Sequence, residues 1–202
     1  MTAAALRTQV RVIFALVLRE TRATFGTSPA GYLWAIATPA IGTGLLVFLF
    51  SQIGRQAPYG MSLALFFATG LLTLEFFNKM STALMTAIEA NQALFSYPAV
   101  KPVDALLGRA VLISATHLLI MGLFYGTLMA FGRAGLPQVP GQVLQAIGAT
   151  AFLGVGFGTL NAAFVAIWDA WRHVEKILTR PLVFLSGIFY VPDMLPPEAR
   201  AI

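Results

Sequence analysis

The chain has 202 residues, 58% apolar or aromatic and 10% charged, with a mean hydropathy of +0.79. Soluble domains carry about a quarter charged residues, so this composition excludes a soluble globular protein and marks an integral membrane protein. A net charge of +5 then reports membrane topology rather than nucleic-acid binding, and the lack of cysteine excludes disulfides and thiolate metal ligands.

The first 22 residues place Arg7, Arg11, Arg19 and Arg22 on one side of a helical wheel, with Val12, Ile13, Leu16 and Val17 on the other. This predicts an amphipathic helix lying in the membrane interface, although Gln9 and Glu20 blur its apolar face. No small-residue cleavage pattern follows, so no removed signal peptide is expected. "GTSPAG" at 26–31 supplies the turn formers that let the chain bend from lying on the bilayer to crossing it.

A hydrocarbon core of about 30 Å needs roughly 20 apolar helical residues. Four runs qualify: Gly31 to Ile53, Met61 to Phe77 with a more polar continuation, Ala105 to Phe131, and Val143 to Trp168. A fifth, Leu178 to Val191, is short and headed by Arg180 and Pro181. Segments before the first run, between the second and third, and between the fourth and fifth hold Arg7, Arg11, Arg19, Arg22, Lys79, Lys101, Arg109, Arg172, Lys176 and Arg180. The alternate segments hold Arg55, Arg133 and Arg200, so the positive-inside rule predicts a cytoplasmic N-terminus. The predicted fold is an all-α polytopic bundle forming one domain, 1–202: an interfacial helix and turn over 1–30, then a membrane-spanning region over 31–202. Five of six spans are expected, with the sequence stopping before the sixth.

Motifs for chemistry are lacking. No G-x-x-x-x-G-K-[ST] loop is present, so ATP hydrolysis by this chain is not expected, and neither H-E-x-x-H nor G-x-S-x-G points to a hydrolase. Neither catalytic nor metal-binding residues are assigned. Gly154, Gly156 and Gly158 lie inside an apolar run and predict close helix packing rather than a nucleotide loop. Glu75, an ionisable residue in an apolar run, is a candidate for a substrate path or gate, with pairing to Lys79 as the plainer role. His117 is expected to be hydrogen-bonded to a neighbouring helix, with a proton relay as the alternative. Tyr32, Trp34, Phe76, Phe77 and Tyr190 could stack on the apolar faces of sugar rings.

Three stretches together carry a family likeness: "LRETRATFGTSPAGYLWAIATP", "LFSYPAVKPVDALLGRA" and "DAWRHVEKILTRPLVFLSGIFYVPDMLPPEAR". Over nearly its whole length the chain resembles the membrane subunit of type-2 ABC exporters for capsular polysaccharide and related surface glycans. The resemblance implies a homodimeric inner-membrane permease with six spans per subunit, working with two copies of a separate ATPase that uses ATP and magnesium. This chain itself would bind no cofactor. A lipid-linked glycan would pass along the dimer interface, flanked by the first and fifth spans, with Tyr32, Trp34, Glu75, Phe76, Tyr190, Pro192, Met194, Pro196 and Pro197 as path or gate residues. The excursion from Asn91 to Lys101, bounded by Pro98 and Pro102, is the expected ATPase contact, through Asn91, Leu94, Phe95, Tyr97, Pro98, Val100 and Lys101. The chain end would form a re-entrant gate. O-antigen, teichoic acid or a small molecule are alternative cargoes, and a non-transporting membrane scaffold is a different class.

Overall fold

A computed structural model describes residues 3–26, 29–58 and 62–191. Helices are their regular elements: α1 Ala3–Phe25, α2 Pro29–Gln52, α3 Leu63–Met85, α4 Ala87–Ala90, a 3-10 helix Gln92–Ser96, α5 Pro102–Ala130, α6 Pro140–Ile167, α7 Trp171–Thr179 and α8 Leu182–Leu185. Among the described residues α3, α5 and α6 are long and apolar enough to cross a membrane, and Ile36–Gln52 of α2 adds a shorter apolar stretch. The polytopic helical bundle expected from the sequence is therefore present. The more polar helical continuation expected after the second run is present too, since α3 runs through its polar residues to Met85 without a break.

At the centre stands α3, against which α2, α5 and α6 pack. Its Ala68, Leu72, Phe76, Met80 and Leu84 recur at helical spacing and form one core with Ile120 and Met121 of α5. Leu72, Met80 and Leu84 are fully buried, whereas Phe152 and Leu153 of α6 are largely exposed, as a helix bathed in lipid allows. Lipid is as apolar as leucine, so helix association here depends on close packing more than on escape from water. Gly154 and Gly158 supply that closeness: a Cβ built on either would come within 2.8 Å of Met80 Cβ or Leu84 Cβ. Gly156, on another face of α6, meets open space. The packing reading of this glycine run is correct for two of its three members.

The expected fifth span is not one continuous helix. The chain breaks after α7 at Arg180 and Pro181, forms the single turn α8, and reverses at Gly187, whose φ of +73° suits glycine. Ile188, 1% exposed, then packs with Phe66 and Phe67. Gly70 makes room for it, since a Cβ there would lie 3.0 Å from Ile188 Cα. Gly70→Val is therefore expected to lift this segment off α3. In an Ile188→Cys background, maleimide labelling should accelerate about tenfold or more with Gly70→Val, as about 1.4 kcal/mol of overpacking would produce. An unchanged rate would show that the segment is held elsewhere. Pro192, Met194, Pro196 and Pro197 lie outside the described residues.

Candidate functional site

One end of the bundle gathers α1, the α4–α5 excursion and α7, and with them most of the basic residues. After α4 the backbone winds in short turns: Leu94, Tyr97 and Val100 donate their N–H groups to the carbonyls of Asn91, Leu94 and Tyr97 at 2.9, 3.1 and 3.0 Å. Those turns, with Pro98 and Pro102 fixing φ, stiffen the excursion. Tyr97, Pro98 and Lys101 are exposed, while Leu94, Phe95 and Val100 are half-buried.

Asn91 is different. It is 1% exposed, and its amide donates to the Ala87 carbonyl at 2.9 Å and to Glu20 Oε1 at 3.0 Å. Its own oxygen accepts from Arg19 Nη1 at 2.5 Å. The second Glu20 oxygen lies 3.2 Å from Arg109 Nε, and Arg109 Nη1 donates to the Ala83 carbonyl at 2.7 Å and to Thr86 Oγ1 at 2.8 Å. Buried polar groups need such partners, and here they are drawn from α1, α3 and α4. At the far end of the excursion, Asp104 is also 1% exposed. It accepts the Lys101 N–H on Oδ2 at 2.8 Å and Gln9 Nε2 on Oδ1. Its charge also meets the positive end of the α5 dipole.

On the other flank, α7 is tied in twice. Arg172 donates to Glu89 at 2.5 Å and to Asp169 at 2.9 Å, contacts that hold its guanidinium above its ordinary pKa. Trp171 Nε1 donates to Asn161 Oδ1 at 2.9 Å, and Asn161 donates onward to Ser81 Oγ at 3.1 Å, joining α7, α6 and α3. Burial pushes the Glu175 carboxyl up, opposed by Lys176.

At the opposite end, Arg55 follows α2. Its guanidinium donates to the Phe189 carbonyl and lies 5.0 Å above the Phe50 ring, a cation–π contact. Nearby, Ser62 Oγ donates to the Arg133 carbonyl at 2.6 Å and so joins the α2–α3 and α5–α6 connections. Between α3, α6 and Ser186 runs a groove of about 430 Å³. Its Thr69, Thr73, Thr150 and Ser186 hydroxyls donate to carbonyls of their own helices. Their lone pairs remain as acceptors on an otherwise apolar wall.

The sequence pattern of the ABC-2 type transporter family matches residues 11–202. The chain belongs to that family. It is 30% identical over 187 residues to the polysialic acid transport protein KpsM of Escherichia coli, covering 91% of this chain and 71% of that protein. It is 25% identical over 192 residues to the capsule polysaccharide export inner-membrane protein CtrC of Neisseria meningitidis serogroup B, covering 95% and 72%. The corresponding protein BexB of Haemophilus influenzae is 25% identical over 194 residues, covering 96% and 73%.

Within this ABC-2 transporter chain the sequence-predicted residues fall into separate groups. Of the expected ATPase-contact set, Tyr97, Pro98 and Lys101 present a surface, with Leu94, Phe95 and Val100 beside them, and Asn91 faces inward as a latch. Of the expected path residues, Trp34 is 69% exposed on α2 and Glu75 is half-buried on α3. Phe76 lies in the core at 1% exposure, its ring 5.2 Å from that of His117, whose Nδ1 meets the Ile113 carbonyl of its own helix α5 at 3.1 Å, not the neighbouring helix expected for it. The Tyr190 hydroxyl donates to the Leu185 carbonyl at 3.1 Å and closes the reversal at Gly187. Tyr32 belongs to α2, but its side chain is not described. The structure does not bring Trp34, Glu75, Phe76 and Tyr190 to one place. Sequence reading missed Glu20, Arg109, Asp104 and Gln9 as a connected set, and Arg55 as a tie. The available signal was polar residues at 9 and 20 on the apolar side of α1, where an interfacial helix has no use for them.

Proposed function

We propose that this chain is the permease subunit of an ATP-driven exporter that moves a lipid-linked capsular polysaccharide across the bacterial inner membrane. The observation that carries this reading is coverage: relatives named for polysialic acid transport or capsule polysaccharide export align along 91–96% of the chain. The charge distribution favours a cytoplasmic N-terminus, which puts the stiff excursion on the side where ATP is found. ATP and magnesium belong to a separate ATPase subunit, this chain binds no cofactor, and two copies pair around the path. ATP binding by the partner pushes on Leu94 to Lys101, and the permease answers as packed helices do, by rigid-body movement rather than continuous bending. The permease guides and gates; it makes and breaks no bond.

Deleting the gene should remove polysaccharide from the cell surface while lipid-linked glycan accumulates inside, and supplying the intact gene should reverse both. Loss of O-antigen in place of capsule would move the cargo to that glycan. Retention of all surface glycans would overturn the export reading. The excursion has its own test. Replacing Leu94 to Val100 by a Gly/Ser linker is expected to abolish copurification of the ATPase without lowering the amount of permease in the membrane, whereas intact copurification would place the contact elsewhere.

A further inference from the structure

We infer that α1 is a two-point clasp that positions the ATPase-contact excursion, with Gln9 and Glu20 as its positioning residues. This rests on the docking role proposed above for Leu94 to Lys101. The two side chains are eleven residues apart, three helical turns, so they share one face of α1 and stand about 16 Å apart along its axis. Between them Leu16, 5% exposed, packs over Gly108 of α5. Glu20 reaches Asn91, where the excursion leaves α4, and Arg109 of α5. Gln9 reaches Asp104, whose other oxygen holds the Lys101 N–H where the excursion ends. One helix thus fastens both ends of a stiff loop to the start of α5. A push on the exposed Tyr97 and Pro98 has no slack to take up at either end. It is delivered to α1 and α5 together.

In an interfacial helix that served only as an anchor, these positions would be apolar. The exposed side of α1 does look that way: Val10, Phe14 and Leu18 are 60%, 62% and 51% exposed, interleaved with Arg7, Arg11 and Arg22. Anchoring and clasping therefore use opposite faces of the same helix.

The experiment compares Glu20→Gln and Gln9→Leu with Arg22→Gln, a change on the exposed face. Surface polysaccharide is measured on cells, and ATP hydrolysis on the copurified permease–ATPase complex in lipid vesicles. Each clasp variant is expected to lower surface polysaccharide at least tenfold while copurification and hydrolysis stay within about twofold of the wild type. Arg22→Gln should change neither. At unchanged permease level, a fall in polysaccharide matched by an equal fall in copurification and hydrolysis would mean a merely structural role, and no fall at all would mean no role; either overturns the clasp.

If the variants do not accumulate, the cysteine-free chain permits a second test. A Cβ on Gly108 would lie 3.2 Å from Leu16 Cβ, slightly inside the about 3.5–4.5 Å of a disulfide, so Leu16→Cys with Gly108→Cys can be oxidised in the complex. The locked complex should hydrolyse ATP within about twofold of the reduced one, because α1 and α5 move as one body. Hydrolysis that stops on oxidation and returns on reduction would show that α1 leaves α5 during the cycle and would sink the proposal. Failure of the docking role itself would appear separately, as ATPase copurification that survives the Gly/Ser linker.

Discussion

Gly158→Ala is expected to destabilise the bundle by about 1–3 kcal/mol, the usual cost of forcing a methyl into a packed site. The added Cβ would stand 2.8 Å from Leu84 Cβ and 3.0 Å from both the Cα and the carbonyl oxygen of Ser81. Backbone atoms cannot rotate aside, so α3 and α6 must separate. Gly154→Ala should cost somewhat less: its 2.8 Å contact with Met80 Cβ cannot rotate away, but the 2.9 Å contact with Met80 Cγ can, and the Phe77 carbonyl oxygen is 3.6 Å distant. Gly156→Ala should be neutral or gain up to about 1 kcal/mol through helix propensity, because nothing lies within 4 Å. Unfolding of the three purified variants in mixed micelles of increasing SDS fraction checks the order. Equal midpoints for positions 156 and 158 would contradict the close α3–α6 approach.

Arg109→Ala should cost about 3–5 kcal/mol, the range for removing one member of a buried ion pair. The Arg109 and Glu20 side chains are 14% and 10% exposed, and the guanidinium also serves the Ala83 carbonyl and Thr86. Removing it leaves the Glu20 carboxylate held by the Asn91 amide. The double variant Glu20→Ala/Arg109→Ala should therefore be less destabilised than the sum of the single changes, and the double-mutant cycle measures that coupling. Additive losses would show that Arg109 acts through Ala83 and Thr86 alone.

The helices were legible because their cause is local. Runs of apolar residues long enough for a bilayer announce themselves, and α2, α5 and α6 begin and end within three residues of the expected limits. The continuation of α3 past Phe77 was legible as helix, but its packing was not, because Asn78 and Lys79 read as the point where it emerges into water. In the fold, Ser81 is covered by Asn161 and Gly158, and the helix carries on. The turn at Gly187 was hidden for the opposite reason: Leu178 to Val191 is apolar enough to look like a short span, and the fit of Ile188 over Gly70, which holds the turned segment on α3, lies between residues far apart in sequence.

For the site, the excursion was visible through its prolines and charge, but the inward turn of Asn91 was not. Its partners lie 71 residues away on α1. Gln9 and Glu20 had registered as flaws in an amphipathic pattern. They are the contact points, and a single helical wheel cannot distinguish a face that meets lipid from one that meets another helix.

The division of α1 into a lipid side and a protein side also sets a length scale. In the proposed placement, Val10, Phe14 and Leu18 fix the helix at one depth in the headgroup layer, and the opposite face is fastened to the first turns of α5. The vertical register of α5 is then pinned at that leaflet. A thinner or thicker bilayer cannot be accommodated by sliding the whole chain along the membrane normal, so mismatch is taken up by tilt of the long helices and by the far leaflet, where the short α8 and the Arg55 tie stand.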